Sequence, residues 1–362
     1  MMMKTMHIGT LMIAAMVVAV MMGCSSNTPT GEVVVEQMSI EFTSNGKATK
    51  AAIAGNSDLA AAGGFMVWGW KTPTPSPTEE NVGLVYDWTK STQVFNAVKV
   101  SLKPEASNAD YIGASATNWT YNDKKNWDRT CSYCFYAAAP VSSKIALNGS
   151  NAGEKVFQIM GVTSHSSAEA DCTDYMIHRR TDVNDIYDGK NAFVSNVPFT
   201  FQHVLSKVSM KVKNEMVQGA IQVNAITLSG WDNGTYNFTQ QVPAPANRTL
   251  NNEEWSTPAV STNQNGKASF LQEPLTLGPE EMVEVPNCYL MVPQNIAAGK
   301  LQVSVQFSIS YADGSKDDFN VSGALENEQM WGTDCQTIYL LRVSPGQLLS
   351  EVESTNWSNG WK

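Results

Sequence analysis

Charge, histidine and helical periodicity are all scarce in this sequence. Only 16% of its 362 residues are charged, so Ser, Thr, Asn and Gln must carry much of the surface. Basic residues are the scarcer sign: 24 Lys and Arg against 34 Asp and Glu leave a net charge of −10. That balance argues against nucleic acid as a partner and against a polybasic hold on anionic lipid. There is no His-Glu-x-x-His, Gly-x-Ser-x-Gly, phosphate loop or dinucleotide fingerprint, so no enzyme activity, cofactor or metal is expected. Asp182 to Gly189 spaces its oxygens somewhat as a calcium loop does. It lacks the closing bidentate glutamate and reads as a solvated acidic turn. Glu253-Glu254 and Glu280-Glu281 lie in loop-like text, where a polar rim is their ordinary role. Beyond residue 24, no apolar run approaches the ~20 residues a membrane helix needs.

The one long apolar run is at the start. Lys4 precedes an uncharged block from Ile8 to Met22, which closes on Gly23-Cys24-Ser25-Ser26. It is too short and one-sided for a spanning helix and has the layout of a cleaved export signal. A cysteine at the cut reads as a bacterial lipoprotein signal: residues 1–23 leave, acyl chains go onto Cys24, and a polar Thr-Pro-Thr-Gly tether follows. The expectation is a soluble body held on a membrane by lipid.

Five cysteines remain, Cys131, Cys134, Cys172, Cys288 and Cys335, an odd number that leaves at least one thiol unbridged. Cys131-Ser-Tyr-Cys134 sits in aromatic, strand-like text rather than at a helix N-terminus, which disfavours a redox pair. Zinc would need further ligands, and Cys172, His165 and His178 are irregularly spaced. A disulfide among Cys131, Cys134 and Cys172 is the expected reading, with unbridged thiols the alternative.

Strands dominate the rest. Leu301 to Tyr311 alternates large apolar with small polar residues, and Asp313-Gly314 follows as a hairpin turn. Val34–Phe42, Phe65–Trp70, Val94–Leu102, Val156–Met160, Ile221–Leu228, Tyr289–Val292 and Thr337–Val343 are further strand candidates. They predict an all-β protein of antiparallel sandwiches, two by length. In Val197 to Lys213 the apolar parity switches: Phe199, Phe201 and His203 on one phase, Val208, Met210 and Val212 on the other. A bulge or short break between Val204 and Lys207 is therefore expected, with His203 as a core histidine.

Three phrases in order resemble the fimbrillin family, pilin-like surface lipoproteins of anaerobic Gram-negative bacteria. They are Trp119 and Trp127 leading into Cys134-Phe-Tyr-Ala-Ala-Ala-Pro140; Val197-Pro-Phe-Thr-Phe-Gln-His-Val-Leu-Ser-Lys-Val208; and Tyr289-Leu-Met-Val-Pro-Gln294. The resemblance implies two tandem transthyretin-like sandwiches, at 24–196 and 197–362. It also implies assembly with other pilus subunits by strand donation, at the outer membrane and cell surface. In such pilins a protease removes an early strand; here Glu36 to Phe42 is the matching strand. Lys47 and Lys50 are the candidate processing residues, with lysine where the family often shows arginine. Leu348 to Val352 and the terminal Trp357-Ser-Asn-Gly-Trp361 mark the donor end. The alternative is a tip-type adhesin that does not polymerise and binds a host or bacterial surface glycan or protein, with Trp68, Trp70 or Trp231 exposed to stack on sugar rings.

Overall fold

Alternating apolar residues make the strands, and polar loops divide them. The computed structural model describes residues 39–44, 56–73, 86–102, 119–128, 130–149, 155–163, 173–183, 196–240, 255, 265–311 and 313–356. The described residues fall in one unit, Met38–Lys362. Cys24, Lys47, Lys50 and Cys172 lie outside the described residues, as do the acidic turn beyond Val183 and the Trp357–Trp361 phrase.

The first part of the chain gives β1 (Glu41–Ser44), β2 (Phe65–Pro73), β3 (Thr92–Leu102), β4 (Trp119–Thr120), β5 (Cys131–Ala139), β6 (Ile145–Asn148), β7 (Val156–Thr163), β8 (Met176–Val183), β9 (Asn196–Phe199) and β10 (Gln202–His203). A short helix, α1 (Asn56–Ala61), joins β1 to β2. One sheet runs β10-β8-β5-β2-β3-β4. Its centre, β5, is buried at all nine positions, which is why its sequence shows no alternation. At Gly69 of β2 the rings of Phe135 and Phe95 come so close that a Cβ would meet both at 2.9 Å.

The second part gives β11 (Ser206–Asn214), β12 (Ile221–Asp232), β13 (Thr235–Thr239), β14 (Asn265–Ser269), β15 (Leu275–Leu277), β16 (Met282–Glu284), β17 (Tyr289–Met291), β18 (Gln294–Ile296), β19 (Gln302–Ser310), β20 (Lys316–Ala324), β21 (Gln329–Trp331), β22 (Cys335–Ser344) and β23 (Gln347–Asn356). Two sheets, β16-β11-β22-β23 and β14-β12-β19-β20, supply one core of Val208, Met210, Val223, Val305, Phe307 and Tyr339. In β19 the expected alternation holds: Val303, Val305, Phe307 and Ile309 are buried. The turn to β20 uses Gly314 at φ +85°, a conformation that favours glycine.

A second core gathers Phe42, Phe65, Phe95, Phe135 and Phe199. A third packs Trp68, Tyr136 and Ile177 against Leu205, Leu290 and Phe238, and β13 ladders onto β7 in a small sheet with β6. Between β10 and β11 the chain breaks at Val204-Leu205, where the parity switch required it. His203 is fully buried there. Its Nδ1 lies 3.0 Å from Asp174 Oδ1, and its backbone N–H donates to Asp334 Oδ1 at 3.3 Å.

The ladders are not all antiparallel. β1 pairs parallel with β9, and β11 pairs parallel with β22. Each pair is separated along the chain by whole intervening sheets, so neither is a hairpin and nothing local fixes its direction.

Candidate functional site

β1 lies in a groove with two backbone walls and an aromatic floor. On one side it ladders with β9, Phe42 opposite Val197 and Ser44 opposite Phe199. On the other side the Ile40 N–H donates to the Lys125 carbonyl at 2.8 Å, and the Tyr121 hydroxyl donates to the Ile40 carbonyl at 2.7 Å. Ser39 forms a further bridge with Asn126. At the C-terminal end the Ser44 hydroxyl donates to the Asn56 side chain, tying β1 to the start of α1.

Ile40 and Phe42 point into the floor and are 0% and 1% exposed. The Phe42 ring meets those of Phe95, Tyr121, Phe135 and Phe199, with centroids 5.3 to 5.8 Å away. Burying two such side chains contributes about 3–6 kcal/mol. The alternation expected for Val34–Phe42 is therefore seen where it is described, with Ser39 and Glu41 only half-buried. The ladder itself falls on Glu41–Ser44, later than Glu36–Phe42.

The other end of the chain is built differently. β23 ladders with β22 through all ten of its residues, and β22 is its partner among the described strands. Leu348, Ser350, Val352 and Ser354 sit opposite Val343, Leu341, Tyr339 and Thr337 and so share the inward face. Even so, Val352 is 44% exposed and Leu348 only half-buried. A cavity of about 910 Å³ lies beneath, lined by Leu325–Met330 on one side and Leu348–Val352 on the other. Thus β1 is held by side chains and backbone together, whereas β23 is held mainly by backbone.

The thiols do not form the expected bridge where they are described. Among the described residues Cys131, Cys134, Cys288 and Cys335 are all thiols. Cys131 and Cys134 are three apart on β5, and a strand puts such residues on opposite faces. Cys131 packs in the core with Tyr133 and Phe135, Cys134 in the one with Tyr136 and Trp68. Burial pushes the Cys131 thiol up, and its S–H donates to Asp128 Oδ2 at 3.4 Å. That is the setting of a protonated structural thiol rather than a nucleophile. Among the described residues no cluster of His, Cys, Asp and Glu could hold a metal ion.

The tryptophans named for sugar stacking are also corrected. Trp68, Trp70 and Trp231 are 4%, 8% and 2% exposed, because their strand phase turns them into the cores. The three sequence phrases turn out to be packing anchors. Trp127 sits edge-on to Tyr133 at 4.8 Å, and His203 ties to Asp174. Gln294 clamps the end of β12, accepting from the Asp232 N–H at 3.0 Å and donating to its carbonyl at 3.3 Å.

Sequence reasoning missed His178 altogether as a feature of this groove. Its ring lies 5.0 Å from Phe199, and burial lowers its pKa to about 4. Only the fold brings it to β9, because β8 and β9 come into contact. The residue type gives no local signal.

A buried N-terminal strand in an aromatic groove and a lightly packed C-terminal strand are features that can be compared with known proteins. The profile of the fimbrillin-like family matches residues 49–357. No curated protein matches the chain. Among solved structures, a fimbrial protein from Bacteroides vulgatus superposes with a TM-score of 0.58 at 15% identity, covering 88% of this chain and 99% of that one. The tip fimbrial protein from Porphyromonas gingivalis, with a C-terminal truncation, gives a TM-score of 0.30 at 10% identity over 88% and 100% of the two chains. With a family match running from before α1 to just past β23, this chain belongs to the fimbrillin-like family.

Proposed function

We propose that this protein is a lipid-anchored structural or accessory subunit of a pilus that assembles by strand donation, with β1 as the strand given up and β23 as the strand donated. Its family is one of fimbrial proteins, structural rather than enzymatic, which places the reading at the cell surface. The observation that carries it is the setting of β1: two backbone walls and a floor of four rings that another extended segment could occupy. Taking β1 out would leave a row of unpaired N–H and C=O groups over an apolar trough, which is the geometry that recruits a strand. Head-to-tail use of one groove and one donor does not close, so filaments follow.

On this reading Cys24 carries the lipid, cutting after Lys47 or Lys50 frees β1, and the body divides near Val197 into two sandwiches. The Val204-Leu205 break and the separate cores on either side support that division, although the third core draws on both halves. The partners are further copies or related subunits in the outer membrane. One observation favours the alternative, a tip-type adhesin that keeps its tail: β23 is fully laddered to its own β22. Intact mass of protein purified from cells reads acylation and cutting together, and electron microscopy reads multimers. A precursor acylated on Cys24, and in filaments a shorter chain that starts after Lys47 or Lys50 and so has shed that cysteine with its lipid, are expected, the filaments vanishing when residues 347–362 are deleted. An uncut chain found only as monomers would overturn the polymerising reading.

A further inference from the structure

Among the described strands β9 ladders with β1, so removal of β1 would take away that main-chain pairing. Something else must keep β9 extended if the emptied groove is to present a ready wall. β8 runs beside β9, and the link between them is made by side chains. The Thr200 main chain brings its N–H to 3.1 Å and its C=O to 3.0 Å from His178 Nδ1. With the proton on Nε2, the Thr200 N–H donates to Nδ1. The Nε2–H then donates to Thr181 Oγ1 at 2.6 Å, and the Thr181 hydroxyl donates onward to the Pro198 carbonyl at 3.4 Å. The imidazole also packs on Phe199, tilted 50° with centroids 5.0 Å apart. One ring thus reaches β9 through its last side chain and the residue after it, while Thr181 reaches its third residue.

We infer that His178 and Thr181 form a latch that holds β9 against β8 independently of β1, so that the groove stays formed when β1 leaves and an incoming strand meets a preorganised wall. The inference rests on the reading of β1 as a displaceable strand. Both latch residues act on backbone rather than on the incoming strand, so they are positioning residues. Neither contributes to the floor rings that grip Phe42, apart from the His178–Phe199 contact. Preorganisation lowers the ordering cost that the entering strand would otherwise meet.

The test uses the full chain with a specific protease site inserted between residues 45 and 50, folded first and then cut. A fluorescent peptide of residues 36–44 is offered in excess, and its capture is followed by anisotropy alongside hydrogen exchange of residues 196–200. Wild type is expected to take up the peptide, with residues 196–200 protected throughout. His178→Ala should bind it about ten- to a hundredfold more weakly. It should lose protection in residues 196–200 while β11 and β22 keep theirs. His178→Gln, which can still donate and accept, should restore most of both. Thr181→Val, the milder change, should shift both readouts in the same direction and serves if the alanine variant does not fold. Unchanged affinity and protection in the variants, with wild type exchanging normally, overturns the latch. Failure of wild type to exchange the peptide at all overturns the displaceable strand instead.

Discussion

Phe42→Ala is the sharpest perturbation of this fold, because one side chain touches every ring of the β1 groove. Phe42 is 1% exposed and contacts Phe95, Tyr121, Phe135 and Phe199. Removing a buried phenylalanine costs about 3–5 kcal/mol, the upper part of that range applying where neighbours cannot collapse into the space. Collapse is hindered here: Phe95 and Phe135 already press on Gly69, and Phe199 is fixed by the β9 ladder. The loss falls on a short four-residue strand, so it should appear as local opening before global unfolding. At about 1.4 kcal/mol per tenfold, 3–5 kcal/mol corresponds to exchange in residues 40–44 that is about 10²- to 4 × 10³-fold faster. The assay is native-state hydrogen exchange, with residues 335–344 of β22 as internal reference. A speed-up below tenfold in residues 40–44, or an equal one in β22, would show that β1 is not the separable element described.

Leu349→Ser should change stability by less than about 0.5 kcal/mol in denaturant titration, since that side chain is 49% exposed at a sheet edge. Gly230→Ala should be poorly tolerated and lower the yield of folded protein. The residue sits at φ +102°, and an added Cβ would run into the Lys300 carbonyl. His178 sets a pH window: its pKa falls from 6.5 unfolded to about 4 folded, so its neutral form is favoured by folding. Its contribution is fully present above 6.5 and erodes as pH drops toward 4, by about 1–3 kcal/mol. Chemical denaturation of wild type against His178→Gln at pH 7, 5.5 and 4 should show the gap closing. Asp128 would not confound this, because the Lys71 hydrogen bond holds its carboxyl well below the usual range and its contribution is lost only below about 3.8.

Strand content was legible wherever one face meets water. β19 alternates because its odd-numbered positions fill a core while most of its even-numbered ones do not, and the Asp313-Gly314 turn pins its partner. The parity switch after His203 was legible for the same reason. β5 was not, since a strand buried on both faces has no period to read. The direction of the β1–β9 pair could not be read either, because the two are joined only through the completed first sheet. Tryptophan exposure failed at Trp68, Trp70 and Trp231 on a related point: a large ring reports what a strand can bury, and its phase against the sheet decides which way it faces.

On the proposed exchange, the packing of β1 and of β23 would set its direction. β1 brings Ile40 and Phe42 into full burial, two residues apart on one face. The inward face of β23 offers Leu348 and Val352 with the small Ser350 between them, and it leaves most of that face wet at home. A second copy's β23 entering the emptied groove would therefore gain apolar burial it lacks in its own fold. It would not match Phe42, however, because leucine or valine against Phe95, Phe135 and Phe199 leaves unfilled volume. On the proposed exchange, intact β1 outcompetes any donor and removal of β1 must come first. Val352→Phe should then tighten donor uptake in a cut acceptor without destabilising the donor itself, since Val352 is 44% exposed at home. Peptides of residues 345–356 with either residue, titrated against cut protein, would measure the difference. Equal affinity would mean that Val352 does not enter the Phe42 site.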